Sequence, residues 1–272
     1  MGSKSWMELG AVSDTFKIIE PTVISFSGGR TSAYLLWRVL QSNNGLPKDA
    51  MVIFANTGKE EEATLKFVKD CEVNWNVPIT WLEYRKVKPF FEVVNYYTAS
   101  RDGEPFEQLI DKAKFLPNQS MRFCTQELKV KAIHRYLKSI GIKEYATLIG
   151  IRADEPRRVA KISNQEDKFM PLARDGITEK DVWDFWNNNN FDLELPKSNG
   201  ASNCDLCFLK GTKILTSLIQ QKPSRVEWWA KQEAKINARF AKDRPTYAQM
   251  GKFNNEQSQL FVDETIPCFC GD

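Results

Sequence analysis

Four short apolar runs that alternate with longer helical patterns constrain the fold of this chain more than any other feature. The runs are residues 22–26 (TVISF), 50–56 (AMVIFAN), 79–84 (ITWLEY) and 145–151 (YATLIGI). Strands that alternate with helices build a parallel sheet, because each helix carries the chain back to the edge where the previous strand began. The sequence therefore predicts an α/β fold with a doubly wound, mostly parallel sheet.

Two of the intervening segments have recognisable helix signals. In residues 56–75, Thr57 is followed three positions later by Glu60, which is the spacing of a capping box at a helix start. Residues 125–141 (TQELKVKAIHRYLKSIG) end at a glycine, as helices often do. This segment places four apolar residues largely on one face, namely Leu128, Ile133, Leu137 and Ile140.

Composition and charge narrow the class of protein. With 272 residues, of which 42% are apolar, the chain can bury a sizeable core. No apolar stretch reaches the ~18 residues of a membrane span, and the start MGSKSWMELGAV lacks the apolar run of a signal peptide, so we expect a cytoplasmic protein. A net charge of +3 does not by itself indicate nucleic-acid binding, but it is compatible with an anionic small molecule.

A Ser-Gly-Gly turn joins the first apolar run to a helical pattern. In residues 27–32 (SGGRTS) the glycines allow a sharp turn, and the free amides at the start of the next helix can face outward. Such a turn binds phosphate or sulfate through its N–H groups and the helix dipole. The residues alone equally permit a simple tight turn with a serine cap, and the Gly-Lys-Ser/Thr ending of a Walker motif is absent.

Six cysteines and one histidine limit the chemistry of the chain. The single His134 leaves little room for a histidine-activated nucleophile or a histidine-rich metal site. Cys204 and Cys207 form a CxxC pair, whose spacing suits zinc, an iron–sulfur cluster or a redox dithiol. The candidates to complete a set of four thiolates are Cys124, Cys268 and Cys270. Cys71 lies among apolar residues on a helix face and is expected in the core.

Several motifs together resemble a known family. SFSGGRTSAYLL resembles the PP-loop (Ser-Gly-Gly-x-x-Ser) of the adenine-nucleotide α-hydrolase superfamily. FANTGKEEEATLKFV, RFCTQELKVKAIHRYL, IGIRADEPRR and NCDLCFLKG resemble the phosphoadenosine phosphosulfate (PAPS) reductase family, particularly its phage and prophage members. The motifs keep the family's order over residues 23–211. The resemblance implies a Rossmann-like sheet of the adenine-nucleotide α-hydrolase type with a helical, cysteine-bearing C-terminal extension.

Beyond residue 151 the pattern changes to a charged loop, a helix (ITEKDVWDFWNNNN) and the CxxC segment. The sequence therefore predicts an N-terminal extension over residues 1–20, a PP-loop nucleotide-binding domain over 21–175, and a helical, cysteine-bearing region over 176–272. Core packing explains the aromatic residues of this region better than stacking on nucleic-acid bases, although a nucleic-acid substrate is not excluded. These residues are Trp183, Phe185, Trp186, Trp228 and Trp229.

The resemblance implies an adenine nucleotide, PAPS or ATP, that lies across the carboxyl ends of the strands. Its expected binding residues, carried over by position or chosen as nearby basic groups, are Ser25, Ser27, Gly28, Gly29, Arg30, Thr31, Ser32, Asn56, Thr57, Gly58, Glu60, Arg122, Lys129, Gly150, Arg152, Arg157 and Arg158. A guanidinium group suits the oxygens of phosphate or sulfate. Any one of these basic groups could instead form a surface ion pair with Asp154 or Glu155.

Some members of the family carry a four-iron cluster, so the resemblance implies Cys124, Cys204, Cys207 and Cys270 as ligands of a [4Fe-4S] cluster. Cys268 and Cys270 are also the candidate catalytic residues: one thiolate would attack the sulfate sulfur, and a thioredoxin-like reductant would resolve the thiosulfonate. The chain departs from the family where Thr31 replaces the PP-loop aspartate, and the usual Glu-Cys-Gly-Leu-His tail is absent. Cys124 stands alone where cluster-bearing members have two adjacent cysteines.

These departures leave three functions open. The first is an oxidoreductase or transferase of the PAPS reductase family that reduces or transfers sulfur. The second is a sulfurtransferase of the ATP-pyrophosphatase type, which would use ATP and Mg²⁺ to adenylate a nucleic acid or a small molecule. The third is a nucleotide-binding accessory protein without turnover. The sequence does not give the oligomeric state.

Overall fold

The structure is a computed structural model that describes residues 14–196 and 203–252. Its strands are β1 Thr22–Ser25, β2 Ala50–Asn56, β3 Ile79–Tyr84, β4 Phe91–Val94, β5 Ala146–Ile149 and β6 Lys168–Phe169. They form one six-stranded sheet in the order β4-β3-β2-β1-β5-β6. β4 runs antiparallel to β3 and the other neighbours are parallel. The predicted α/β fold with a mostly parallel sheet is confirmed.

Helices cover both faces of this sheet. They are α1 Arg30–Asn43, α2 Glu62–Asn74, α3 Glu104–Ala113, a π-helix Thr125–Val130, α4 Lys131–Ser139, α5 Pro156–Ile162, α6 Pro171–Arg174, α7 Glu179–Asn187, α8 Thr212–Gln221, α9 Arg225–Ile236 and α10 Tyr247–Lys252. None of the helices in the described ranges is long and apolar enough to cross a membrane.

The first core lies between the sheet and helices α1, α2 and α7. Ile24, Phe54 and Trp81 extend into it from three neighbouring strands and are at most 2% exposed. Leu35 of α1 packs against them, and each fully buried apolar side chain of this size contributes about 1.5–3 kcal/mol. Cys71 is buried here, which confirms its predicted place in the core. Helix α7 belongs to this layer, although it follows the predicted domain boundary at residue 175.

The second core is built by helices α3 and α8–α10 around the CxxC segment. Trp229 stacks on Tyr247 with ring centroids 5.3 Å apart, and the Tyr247 hydroxyl donates to the Leu206 carbonyl at 2.6 Å. The CxxC segment is therefore fixed by aromatic packing and by a buried hydrogen bond. Trp229 in this core and Trp186 in the first core are buried, which confirms the predicted core packing of these two tryptophans.

Two local predictions are wrong. Helix α2 begins at Glu62, so Thr57 is not its N-cap; the Thr57–Glu60 contact exists, but in the loop before the helix. The segment 125–141 begins as a π-helix, and Ile140 at its end is 48% exposed. A π-helical turn contains more residues than an α-helical turn, so it rotates the later positions away from the face that a 3.6-residue period predicts.

The chain changes its direction of winding at β1. This strand pairs with β2 on one side and with β5 on the other, whereas the chain visits β2, β3 and β4 before it returns to β5. The connections that leave β1 and β5 therefore diverge and open a crevice at the carboxyl ends of the strands. Ligands of open α/β sheets bind at such a crevice.

Candidate functional site

The loop between β1 and α1 has the geometry of an anion site. Gly28 has a φ of 77°, and Gly29 is the extended residue before α1. The Ser32 hydroxyl accepts hydrogen bonds from the Ser27 N–H at 3.2 Å and from the Ser27 hydroxyl at 3.0 Å, and it donates to the Gly29 carbonyl at 2.9 Å. The first N–H groups of α1 have no acceptor within the helix, so they are suited to hold an anion.

Gly28→Ala is expected to lower the free energy of unfolding by about 1–3 kcal/mol, because its positive φ strains any L side chain. A Cβ at this position would also lie 2.7 Å from Thr64 Cγ2 and 3.1 Å from Val68 Cγ2. Gly29→Ala is the matched control, since its φ is −100° and the nearest atom to a Cβ is 3.6 Å away. Urea unfolding measures both variants, and equal losses would contradict this loop geometry.

The end of β5 lies directly against the same loop. A Cβ on Gly150 would be 3.0 Å from Ser32 Cα, so only glycine allows this approach without a shift of the backbone. Arg152 then donates to Thr31 Oγ1 at 3.3 Å and to Asp154 Oδ1 at 2.9 Å. The structure thus brings the predicted residues of the first and fifth strand ends together.

Arg30 is engaged away from the glycine loop. Its guanidinium makes two hydrogen bonds to the Asp192 carboxylate, at 2.7 and 2.6 Å, and it also donates to the carbonyls of Leu193 and Leu195. The ring of Trp183 lies 4.2 Å from the guanidinium carbon. Arg30 therefore attaches the segment after α7 to the start of α1.

The loop after β2 supplies a second group of predicted residues. Asn56 donates to Glu83 Oε1 at 2.6 Å and accepts from the Gly58 N–H at 3.0 Å. Thr57 donates to Glu60 Oε2 through both its N–H and its hydroxyl, each at 2.8 Å. These buried side chains fix the conformation of the loop beside the crevice.

A cleft runs from the glycine loop along the face of the sheet that carries α4. It has about 640 Å³ of empty space, part of it open to solvent. Ser25, Ser27 and Ala55 line it from the strand ends, and Lys129 and Ile133 line it from the opposite side. Its lining combines apolar side chains with a few polar groups, which is typical of a site for a small organic ligand.

Lys129 is the most buried of the predicted basic residues. Its side chain is 7% exposed, and its Nζ lies 3.7 Å from Glu60 Oε1. That carboxylate oxygen accepts no hydrogen bond from the residues that the structure describes. Lys129 and Glu60 therefore form a buried ion pair without a hydrogen bond beside the cleft.

The predicted arginines have different surroundings. Arg158 pairs with Glu155 at 2.7 Å, whereas Arg157 is exposed on α5. Arg122 donates to the Gln119 carbonyl at 3.2 Å and borders the cavity that the cysteines line. Arg152 and Arg158 thus form the ion pairs that the acidic residues 154–155 allow.

Three of the predicted thiols line one small cavity. Cys204 and Cys207 are buried, and Cys124 borders the same space from the start of the π-helix. Burial raises the pKa of the Cys124 thiol to about 12, and burial together with the nearby Glu60 charge raises the pKa of Cys204 well above its usual value. In the absence of a bound cation these two thiols are protonated at neutral pH.

These thiols are suitable donors for a metal, but their present spacing does not form a metal site. Within residues 14–196 and 203–252, no three His, Cys, Asp or Glu side chains are arranged closely enough to hold a metal ion. Thiols are nevertheless the donors that zinc and iron–sulfur clusters take. Cys268 and Cys270, the predicted catalytic pair and candidate fourth ligand, lie outside the described residues.

Two residues of this region were absent from the predicted site. Lys210 is 0% exposed, and burial lowers its pKa despite the nearby Cys207, Cys204 and acidic groups. Asn203 donates from its side-chain amide to the Ser27 carbonyl. In the sequence, only their positions mark these two residues. Lys210 lies three residues after the CxxC pair, and Asn203 lies one residue before it.

Comparisons with known proteins give one family match and two uncharacterized relatives. The profile of the phosphoadenosine phosphosulfate reductase domain matches residues 21–194. An uncharacterized nin region protein of Escherichia phage lambda is 34% identical over 202 residues, which cover 70% of this chain and 67% of that protein. An uncharacterized protein of Methanocaldococcus jannaschii is 28% identical over 148 residues, 54% of this chain but only 26% of that protein.

Among solved structures, a phosphoadenylyl-sulfate (PAPS) reductase from Candida auris in a phosphate complex aligns with a TM-score of 0.42 and 16% identity. The alignment covers 69% of this chain and 79% of that chain.

Proposed function

The chain belongs to the phosphoadenosine phosphosulfate reductase family, and on that premise we propose that it binds PAPS at its glycine loop and reduces or transfers the sulfur of the sulfate group. The observation that supports this most is the place of Lys129. Its side chain borders both the cleft on the sheet and the cavity that the cysteines line. A ligand in the cleft would thus have its anionic end next to the thiols.

The nucleotide would be held by residues from three strand ends. Its phosphates would accept hydrogen bonds from the N–H groups at the start of α1, where Ser27 and Ser32 fix the loop. Its base and ribose would occupy the cleft beside Ser25 and Ala55. Arg152, which contacts Thr31, is close enough to the loop to add a charge-assisted hydrogen bond.

The cysteine cavity would hold an iron–sulfur cluster. Cys124, Cys204 and Cys207 would supply three thiolates, and Cys270 is proposed as the fourth. When bound, such a cluster would hold the CxxC segment and the start of the π-helix together beside the sulfate end of the nucleotide. The convergence of three thiols on one cavity supports this part of the proposal.

The proposed reaction begins at the thiolate of Cys268, because Cys270 is proposed as the fourth cluster ligand. A thiolate attacks the sulfate sulfur, an S–S bond forms, and the S–O bond to the nucleotide breaks with release of adenosine 3′,5′-bisphosphate. One thiolate of a thioredoxin-like dithiol then attacks the enzyme sulfur and releases sulfite. The second thiol of the reductant breaks the mixed disulfide and restores the enzyme cysteine, so the reductant leaves as a disulfide and has supplied two electrons.

Anaerobic calorimetric titration with PAPS and with ATP plus Mg²⁺ tests the binding step. We expect PAPS to bind at least about tenfold more tightly, which corresponds to about 1.4 kcal/mol. A preference for ATP would contradict sulfonucleotide reduction. It would favour a sulfurtransferase that adenylates its substrate before sulfur insertion.

A further inference from the structure

We propose that Asn203 is a positioning residue that ties Cys204 to the glycine loop, so that nucleotide binding slows the opening of the thiol cavity. The inference rests on the proposed function, because it assumes that a nucleotide occupies the glycine loop. It adds a residue that links the two parts of the site.

The side chain of Asn203 lies on the glycine loop itself. Its amide nitrogen donates a hydrogen bond to the Ser27 carbonyl. Its amide oxygen and nitrogen are 3.6 and 3.9 Å from the position that a Cβ on Gly29 would occupy. The residue that precedes Cys204 therefore contacts the turn at which an anion would bind.

The backbone around Cys204 is fixed to the loop after β2. Asn203 accepts a hydrogen bond from the Glu61 N–H at 3.1 Å, and Asp205 donates to the Lys59 carbonyl at 2.7 Å. These two bonds form an antiparallel bridge that pairs Cys204 with Glu60. The Lys59 ammonium also lies 3.0 Å from the Asp205 carboxylate, in a pair that is about one-tenth exposed.

Access of a reagent to the Cys204 thiol requires this bridge between Cys204 and Glu60 to open. The thiol is 3.8 Å from Thr57 Oγ1 in the loop after β2, and Cys204 is only 7% exposed. Local openings of this kind have their own free energies, which rise when a ligand binds only the closed form. An anion that holds the glycine loop would stabilise this bridge through the Asn203–Ser27 hydrogen bond.

The chemistry of the side chain suits this role. A primary amide can donate to a backbone carbonyl without adding a negative charge beside an anion site. Alanine at this position would leave the Ser27 carbonyl without this donor. Aspartate would place a carboxylate against that carbonyl and near the bound anion.

The test is the rate of iodoacetamide alkylation of Cys204, followed by peptide mass spectrometry on the cluster-free chain. At PAPS concentrations about 100 times Kd, we expect alkylation of the wild-type thiol to slow by up to about 100-fold. Asn203→Ala should alkylate faster without nucleotide and gain less than about threefold protection, while its calorimetric Kd for PAPS stays within about threefold of wild type. Asn164→Ala, at an exposed position in the loop between α5 and β6, should behave as wild type.

Two results would overturn the role of Asn203. Full protection in Asn203→Ala would show that the hydrogen bond does not link the sites, and a loss of PAPS affinity beyond about tenfold would make Asn203 a binding residue instead. If the wild-type chain binds no PAPS, the proposed function fails. In that case the alkylation rate of Cys204 without nucleotide still tests the role of Asn203. Equal rates in the wild type, Asn203→Ala and Asn203→Asp would show that Asn203 does not hold Cys204 closed.

Discussion

Replacing Cys204 and Cys207 together with serine will leave the anaerobically prepared protein without bound iron and acid-labile sulfide. Both thiols line the cavity that Cys124 borders, and serine hydroxyls are far weaker ligands for iron than thiolates. Iron and sulfide assays and the visible absorption of the cluster measure the effect. We expect complete loss rather than a partial one, because half of the four proposed ligands are removed.

Cys71→Ala is the matched control for this double variant. Cys71 is also fully buried, but it lies in the first core between α2 and the sheet, away from the cavity. It should retain the wild-type content of iron and sulfide. A double variant that keeps its iron and sulfide, or a wild-type protein that has none, would contradict the proposed cluster.

Lys129→Met will weaken PAPS binding by about 10- to 100-fold, because a hydrogen bond to a charged group contributes about 1.5–3 kcal/mol. Lys129 is buried between the cleft and the thiol cavity, so a charged side chain on the protein surface cannot take its place. Lys129→Arg should recover part of the affinity. Calorimetric titration gives the dissociation constants.

Lys138→Met provides the comparison for that variant. Lys138 lies in the last turn of α4, in the same connected helical segment, but it is exposed. Its substitution should change the affinity by less than about twofold, since an exposed charge is screened by solvent. Equal affinities in Lys129→Met and Lys138→Met would place the anion elsewhere.

The fold followed from features that are local in sequence. Apolar runs such as residues 50–56 and the turn at Gly28 determine strand, turn and helix within a few residues, and alternation then favours a parallel sheet. The clustering of Cys124 with Cys204 was predicted by resemblance to a family, because no spacing rule relates residues eighty positions apart.

Several side chains depend on contacts that no local pattern contains. Arg30 has the right position in the glycine motif, but Asp192 engages its guanidinium from a distant segment. Thr57 and Glu60 have capping-box spacing, but their hydrogen bond lies in the loop that pairs with Cys204 and not at the start of α2. The hydrogen bond from Asn203 to the Ser27 carbonyl joins residues that are far apart in the sequence. Tertiary contacts override local signals at these positions.

Product analysis after anaerobic incubation with PAPS and a thioredoxin-type dithiol tests the proposed function most directly. The proposal predicts adenosine 3′,5′-bisphosphate and sulfite in equal amounts, with one disulfide formed in the reductant for each sulfite. Absence of both products from a preparation that binds PAPS would contradict reduction. Release of pyrophosphate from ATP by the same preparation would instead identify an adenylating sulfurtransferase.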